Sequence, residues 1–323
     1  MKQITNLEAV RDAIAVEMRA NPRIILLGEG TGERGGSFGH TKGLYQEFGP
    51  ERLLDTPISE LGFTGAGVGA AAVGMHPIVD LMFADFLAEC MSQIVNQASK
   101  LHYITNGATC VPLLIRAAIG TARGAAAHHS GVLYPWFMHV PGLRVVTPSN
   151  PTDGYGLMRS ALREPNPVLF LDHKSLFAVK GDAPDEETVI PLGQARVCRK
   201  GSDVTVVSVS LMVQRALEAA ERVEGISVEV IDPRTVAPLD LETIFASVEK
   251  TGRLLIVDEA YPVCSFASEV AAAVASERLY DLDAPIRRLN PKPIPHPFSP
   301  PLEEAMIPQV EDIARAVREL MEE

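Results

Sequence analysis

At 323 residues the chain is long for one hydrophobic core and fits two domains. Its composition, 46% apolar and 22% charged, is that of an ordinary globular protein, and a formal net charge of -12 argues against nucleic acid or an anionic membrane as a partner. No apolar run reaches the ~18 residues that a membrane span needs, and the opening MKQITNLEAVRDAIAVEMRANP reads as an acid-bearing amphipathic helix, neither a secretory leader nor a transit peptide.

Cys90, Cys110, Cys198 and Cys264 show no CxxC pairing, which predicts reduced thiols in a cytoplasmic protein and argues against a cysteine metal site. Apolar strand runs alternate with helical patterns, the signature of a parallel sheet with crossover helices. Residues 23–27 (RIILL) predict a buried strand ending at Gly28, Glu29 and Gly30. The glycine-rich loop over residues 31–44 lacks the GxxxxGK(S/T) spacing of a phosphate loop and reads as a mobile active-site loop. Leu53 and Leu54 end a second strand, and residues 55–74 (DTPISELGFTGAGVGAAAVG) deliver one acid, Glu60, to a strand-to-helix turn. The helix after it is almost wholly Gly, Ala and Val and is suited to very close packing. Two readings stand: Glu60 is a catalytic acid above a helix that floors a subunit interface, or it is a loop carboxylate capping a core helix.

Residues 77–82 predict a strand, after which Phe83, Ala84, Asp85 and Phe86 lead into a long helix over residues 86–102. Aromatics at the carboxyl end of a parallel strand can stack on a planar ligand or pack in the core. Residues 111–115 predict a strand, followed by Arg116 and the loop AAIGTARGAAAHHSG. His128 and His129 stand there among small residues, a placement that tilts toward proton chemistry. Tyr134, Trp136 and His139 follow in a short helix; residues 143–147 and 168–171 predict strands around a helix over 152–162. Residues 177–192 (FAVKGDAPDEETVIPL) turn polar and rich in Pro, Gly and Glu, and predict a linker. The expectation is an α/β protein of two domains, residues 1–176 and 193–323. The second repeats the alternation, with strands at 203–209, 228–231 and 254–258, and a proline-dense stretch before a final helix. No GxGxxG fingerprint follows a strand, which disfavours a dinucleotide-dependent oxidoreductase.

Several ordered blocks carry a resemblance: GEG with GGSFGHTKGL, DTPISELGFTGAGVGAA, FADF with NQASK, AAAHHS, and HVPGLRVVTPSNPTD. Together they resemble the β subunits of thiamin-diphosphate-dependent 2-oxo acid dehydrogenases, the β chains of the pyruvate, branched-chain 2-oxo acid and acetoin complexes. PRTVAPLDLETI and LEEAMIPQVEDI extend the likeness to nearly the whole chain, and DHKSLF, DEAYPVCSFASEV and PHPFSPPLE look more like the acetoin type. The fold implied is a thiamin pyrimidine-binding parallel-sheet domain of transketolase type followed by a smaller transketolase C-terminal-type domain.

The resemblance also implies roles. Glu60 matches the glutamate that hydrogen-bonds the cofactor's aminopyrimidine ring and favours its imino tautomer, through which the thiazolium ylid forms. Glu29 matches a second acid of that pocket, and Phe86 the aromatic that stacks on the pyrimidine. His129 matches the histidine that steadies negative charge or relays protons during acyl transfer to a lipoyl group. Potassium sites in the family use backbone carbonyls, here Leu113, Ala161, Glu164 and Asn166, with Glu164 where an aspartate is usual. His128 where Gln is frequent, His40 and Arg34 in the early loop, and Asp172 where Glu is common depart from the pattern and bear on substrate preference.

The family's diphosphate anchor is a GDG motif with a downstream Asn, whereas this chain has Gly181, Asp182 and Ala183 inside the expected linker. The implication is that an α subunit holds the magnesium and the diphosphate, and that the active site lies between chains of a two-α, two-β heterotetramer. The carboxyl domain would help dock a dihydrolipoyl acyltransferase core. The activity implied is cleavage of a 2-oxo acid or acetoin, with the acyl unit passed to lipoamide. The alternatives are one half of a split transketolase and a non-catalytic scaffold subunit; intact Glu60 and His129 disfavour the scaffold.

Overall fold

The computed structural model describes residues 3–122 and 124–323, and the chain divides into two compact units. The first takes in the chain up to Ile119 together with Trp136–Leu192; the second is built from Gly120–Pro135 and Gly193–Glu323.

In the first unit β1 (Gln3–Thr5) runs directly into α1 (Asn6–Ala20). A capping box starts that helix: Thr5 Oγ1 accepts the N–H of Glu8, and the Glu8 carboxylate accepts the N–H of Thr5. Then come β2 (Ile24–Gly28), α2 (Leu44–Phe48), β3 (Leu53–Asp55), α3 (Glu60–Ala72), β4 (His76–Phe83), α4 (Ser99–Ile104) and β5 (Leu114–Ile119). After α5 (Tyr134–Met138) follow β6 (Arg144–Val146), α6 (Pro151–Arg163), β7 (Val168–His173) and β8 (Lys180–Asp182). Strands β6, β7, β5, β4, β2 and β3 lie side by side in that order, all parallel. A parallel sheet covered on both faces reads as continuous apolar text, and VLFLDH of β7 is buried at every position. Ile14 and Met18 of α1 and Leu157 and Met158 of α6 pack on Leu26, Ile78, Leu114 and Phe170. α3 covers the opposite face, because Val79 points away from Ile78. A Cβ at Gly67 would meet Val79 Cγ2 at 2.5 Å, so the helix backbone comes as near to β4 as glycine permits.

β2 connects to β3 on one side and β4 to β5 on the other. The carboxyl ends of β2 and β4 therefore flank the switch point, the crevice where parallel α/β sheets take their ligands.

Three local features differ from the sequence expectation. The helix foreseen over residues 86–102 is broken into a 3-10 run (Ala84–Cys90), a π-helical run (Ser92–Ala98) and α4. Ser99 Oγ donates back to the Val95 carbonyl at 2.8 Å, a local bond that competes with the regular ladder. Arg116, expected just past a strand, lies inside β5 in register with Asp80 of β4 and Phe170 of β7. Residues 177–192 carry β8, which pairs antiparallel with β1, and they group with the first unit.

In the second unit β9 (Arg196–Arg199), β10 (Val204–Ser208), α7 (Leu211–Arg222), β11 (Val228–Asp232) and β12 (Thr235–Ala237) are followed by α8 (Leu241–Thr251), β13 (Leu254–Val257) and α9 (Phe266–Glu277). β14 (Arg287–Leu289), α10 (Pro300–Met306) and α11 (Val310–Met321) end the chain. The sheet order is β14, β13, β10, β11, β9, with only the edge strand β9 antiparallel. Val206, Val230, Leu255 and Val257 meet Met212, Ala216, Ile313 and Val317 in its core. Among the described residues no helix is long and apolar enough to cross a membrane.

Candidate active site

Glu29 stands directly beyond β2, at the switch point. The strand ends on glycine for a steric reason: a Cβ at Gly28 would meet the Asp80 carbonyl at 2.7 Å. Gly30, at φ +64°, then turns the chain into the glycine-rich loop. That loop is folded upon itself. The Gly36 N–H donates to the Gly30 carbonyl at 2.8 Å, Thr41 Oγ1 donates to the Thr31 carbonyl at 2.7 Å, and the Gly32 N–H donates to the Asp55 carboxylate at 2.7 Å.

Glu60 is the first residue of α3, five positions beyond Asp55. The structure brings it into the surroundings of Glu29. Burial first, then the charges of Glu60 and Asp80, push the Glu29 carboxyl above the ordinary glutamate range, so it keeps its proton to higher pH. An acid that readily holds a proton beside a second acid is the arrangement expected of a proton-handling site. Thr64, one turn beyond Glu60, lies 3.3 Å from Cys90 Sγ and ties the Ala84–Cys90 run to α3. Burial pushes the Cys90 thiol up to about 11, with Glu60 and Glu89 adding to it and the Thr64 bond opposing.

Phe86 sits in that same run, half-buried, edge-on to Phe83 at 5.8 Å between ring centroids. Phe83 meets Phe38 of the glycine-rich loop at 5.3 Å, and Phe38 meets Phe177 at 5.1 Å. The β4–β5 register shifts between Asp80 and Phe83, and Met82 takes φ +60°. Such a bulge re-aims the side chains that follow it at the mouth of the site.

Beneath the mouth lies a buried charge network that sequence reasoning did not assemble. Arg116 Nη1 donates to Asp80 at 2.8 Å and Arg116 Nε to Asp172 at 2.6 Å. His40 Nε2 stands 2.9 Å from Asp80. His40 and Asp172 stood out as departures from a family pattern; their connection through Arg116 did not. A signal was present, since Asp80, Arg116 and Asp172 each sit inside an apolar strand run, where a charge needs a partner.

His129, half-buried, belongs to the second unit, on the Gly120–Pro135 segment, with His128 exposed beside it. Buried acids of that unit hold the segment. Glu259 accepts the Thr121 N–H at 2.9 Å, Glu303 accepts the Gly124 N–H at 2.9 Å, and the Tyr134 hydroxyl donates to Asp258. Gly124 has φ +71°, and a Cβ there would meet the Phe298 carbonyl at 2.5 Å. Burial pushes Asp258 up to about 6, against the donors Tyr134, Ala260 and Ala267, while Glu259 adds to the rise. None of these three acids was picked out from the sequence, because their partners are more than a hundred residues away.

For the expected potassium ligands, the Leu113 carbonyl accepts the Val168 N–H at 2.9 Å and the Ala161 carbonyl the Glu164 N–H at 3.4 Å, each with a second lone pair to spare. The Glu164 carboxylate pairs with Arg144 at 3.2 Å. Gly181 and Asp182 lie in β8, where the Asp182 carboxylate accepts Gln3 Nε2 at 2.6 Å. A strand paired along its edge does not offer the turned backbone that grips a phosphate. The first unit thus presents acids and aromatics that fit a protonatable heteroaromatic ring, while its Gly-Asp pair is spent on a strand.

Comparison with known proteins places the chain. Residues 2–180 match the family described as transketolase, pyrimidine binding domain, and residues 193–313 match transketolase, C-terminal domain. The chain is 47% identical, over 97% of its length and 96% of the relative's, to the acetoin:2,6-dichlorophenolindophenol oxidoreductase subunit beta of Cupriavidus necator. It is 42% identical to the mitochondrial pyruvate dehydrogenase E1 component subunit beta-1 of Arabidopsis thaliana, over 98% of this chain and 88% of that one. It is also 42% identical to the 2-oxoisovalerate dehydrogenase subunit beta of Bacillus subtilis, over the whole of both. Among solved structures, a split gene transketolase described as an inactive beta4 tetramer superposes with a TM-score of 0.80 at 23% identity, over 99% of this chain and 98% of that one, a likeness of fold. With two transketolase-type domains in sequence and such relatives over nearly its full length, the chain belongs to the family of β subunits of the E1 components of 2-oxo acid and acetoin dehydrogenase complexes.

Proposed function

We propose that the chain is the β half of a thiamin-diphosphate-dependent dehydrogenase that cleaves a 2-oxo acid or acetoin and needs an α subunit to do so. The observation that carries this reading is the position of Glu29 directly beyond β2 at the switch point of the first sheet, within reach of the charge of Glu60 at the start of α3. Thiamin diphosphate, when bound, supplies a carbon nucleophile and an electron sink for the bond broken next to the substrate carbonyl. Glu60, on the first turn of α3, hydrogen-bonds a ring nitrogen and holds the proton there. Glu29, which keeps its own proton to higher pH, lines the same ring, and Phe86 stacks on it. His129 supplies or takes a proton while the acyl unit passes to the lipoyl group of a dihydrolipoyl acyltransferase.

The α subunit holds magnesium and the diphosphate, and two α and two β chains assemble. Gly62, Ala66 and Gly69 form an exposed small-residue stripe on α3 that suits a close subunit contact. The carbonyls of Leu113, Ala161, Glu164 and Asn166 take a potassium ion, and the assembly works in the cytoplasm. Acetoin, pyruvate and 2-oxoisovalerate relatives stand at 42–47% identity, so similarity does not choose among substrates.

The test is to purify the chain with its α subunit and follow dye reduction with acetoin, pyruvate and 3-methyl-2-oxobutanoate, with and without thiamin diphosphate and magnesium. Cofactor-dependent activity in the pair but not in either chain alone is the expected result. A loaded, assembled pair inert toward all three would turn the assignment toward sugar substrates or a scaffold. Turnover by this chain alone would remove the half-site reading.

A further inference from the structure

Arg34, in the glycine-rich loop, is exposed and has neither an ion pair nor a hydrogen bond among the described residues. Arg19, Arg144 and Arg163 of the same unit each meet a carboxylate. Arg34 is nevertheless held in a defined place. The Gly35 N–H donates to the Gly32 carbonyl at 3.0 Å, a turn with Glu33 and Arg34 at its tip, and the Gly36 N–H closes the wider bend onto the Gly30 carbonyl at 2.8 Å. A methyl on Gly30 would lie 3.0 Å from Arg34 Cδ and 3.5 Å from Nη1, so the side chain folds back over Gly30, the residue next to Glu29.

No nearby acid takes up this cation. Its neighbour Glu33 forms no ion pair with it, and the charges that act on Glu29 are those of Glu60 and Asp80, both acids. Arg116, the cation beneath the mouth, is buried and already engaged by Asp80 and Asp172. Lys42, the other exposed cation of the loop, packs its stem on Gly35 instead.

An uncommitted guanidinium offers a carboxylate two parallel donors and a full charge. The candidate substrates differ in just this respect. A 2-oxo acid carries a carboxylate beside its carbonyl, whereas acetoin carries an uncharged hydroxyl-bearing carbon there. An anion that approaches Glu29 meets the negative potential of Glu60 and Asp80, and a cation at the rim offsets it; neutral acetoin gains nothing from that cation.

We propose that Arg34 is a specificity-determining residue: its guanidinium receives the carboxylate of an incoming 2-oxo acid beside Glu29 and favours such anions over neutral acetoin. This rests on the reading that Glu29 lines the thiamin site. A contact made by the bound substrate acts through KM more than through kcat.

The test uses the full-length chain assembled with its α subunit, loaded with thiamin diphosphate and magnesium. The unaltered pair is measured first with pyruvate, 3-methyl-2-oxobutanoate and acetoin, and a higher kcat/KM for the two acids is expected. Arg34→Met is expected to raise KM for both acids by about 5–10-fold, the scale of one charge-assisted hydrogen bond at a half-open site, and that for acetoin by less than about twofold. Arg34→Lys recovers part of the loss, because the charge returns without the planar fork. Lys42→Met removes the same charge from the same loop and is expected to shift KM by less than about twofold. Methyl acetylphosphonate, an anion of pyruvate's shape that cannot lose carbon dioxide, gives a readout without turnover: calorimetry should show it binding Arg34→Met about 5–10-fold more weakly. Acetoin preferred by the unaltered pair, KM for the acids indifferent to Arg34→Met, or an equal shift from Lys42→Met overturns the proposal. An assembled, loaded pair inert toward all three substrates is failure of the thiamin reading, and the proposal falls with it before any variant is made.

Discussion

Glu303 of α10 accepts the backbone N–H of Gly124 at 2.9 Å, across a sequence separation of 179 residues. With Glu259 on Thr121 and Asp258 on Tyr134, it makes the histidine-bearing segment part of the second unit's own framework. The placement of His129 therefore depends on acids that lie far along the chain.

Glu303→Ala leaves the Gly124 N–H without its acceptor in a buried setting, a loss of about 1–3 kcal/mol. Hydrogen exchange over residues 120–131 is expected to speed up, and lipoyl acylation to slow more than substrate cleavage. Exchange in that segment unchanged from the unaltered protein would show that Glu303 does not hold it.

Asp258 yields a pH dependence of stability. Its carboxyl titrates at about 6 when folded, above the ordinary aspartate value, so the folded state binds the proton more tightly than the unfolded one. The contribution to stability is fully present below the unfolded value of about 4 and is lost as pH rises through 6, in total on the order of 3 kcal/mol. Asp258→Asn has no such proton. The stability advantage of the parent over the variant, from denaturant unfolding, is expected to be larger near pH 4 than near pH 7. A difference that is flat with pH would mean that Asp258 does not titrate in this window.

Glu60→Gln changes one proton and almost no volume. Turnover is expected to fall by a factor of about 10² or more, the scale of lost acid–base assistance. Its place on the first turn of α3 limits the stability effect to roughly 0.3–1 kcal/mol, so assembly should survive. Steady-state rates and sedimentation on the same preparation check both halves, and an active, assembled variant would remove Glu60 from the chemistry.

Two glycines of α3 should behave oppositely. At Gly67 an added methyl meets Val79 at 2.5 Å, and Gly67→Ala is expected to cost about 1–3 kcal/mol. At Gly69 nothing lies within 4 Å, so Gly69→Ala should stabilise the isolated chain by about 0.5–1 kcal/mol through helix propensity. If the outer face of α3 packs against another subunit, the same methyl weakens assembly. Thermal melts of the single chain and sedimentation of the complex separate the two effects; intact assembly with Gly69→Ala argues against a close contact on that face.

Much of the fold was legible because its signals are local. RIILL and VLFLDH announce buried parallel strands through unbroken apolar text, and two α/β halves around a polar stretch follow from alternation alone. Glu29 and Glu60 could be singled out as lone acids after short apolar runs, where a parallel strand delivers its end to a turn. What those acids face was not legible, since the neighbours that shift Glu29 arrive from α3 and β4.

The sequence by itself determined the alternation of buried strands and helices, the division into two α/β halves, and the family. Only the tertiary structure decided that Arg116 is the hub of a buried network, that the run from Ala84 to Ala98 departs from regular α-helix, and that residues 120–135 group with the second unit. The physical reason is the same in each case. Periodicity and capping record how a residue meets neighbours three or four positions away. Charge pairing and backbone capture across 36 to 179 positions leave no periodic trace, and appear only once the sheet order has brought the partners together.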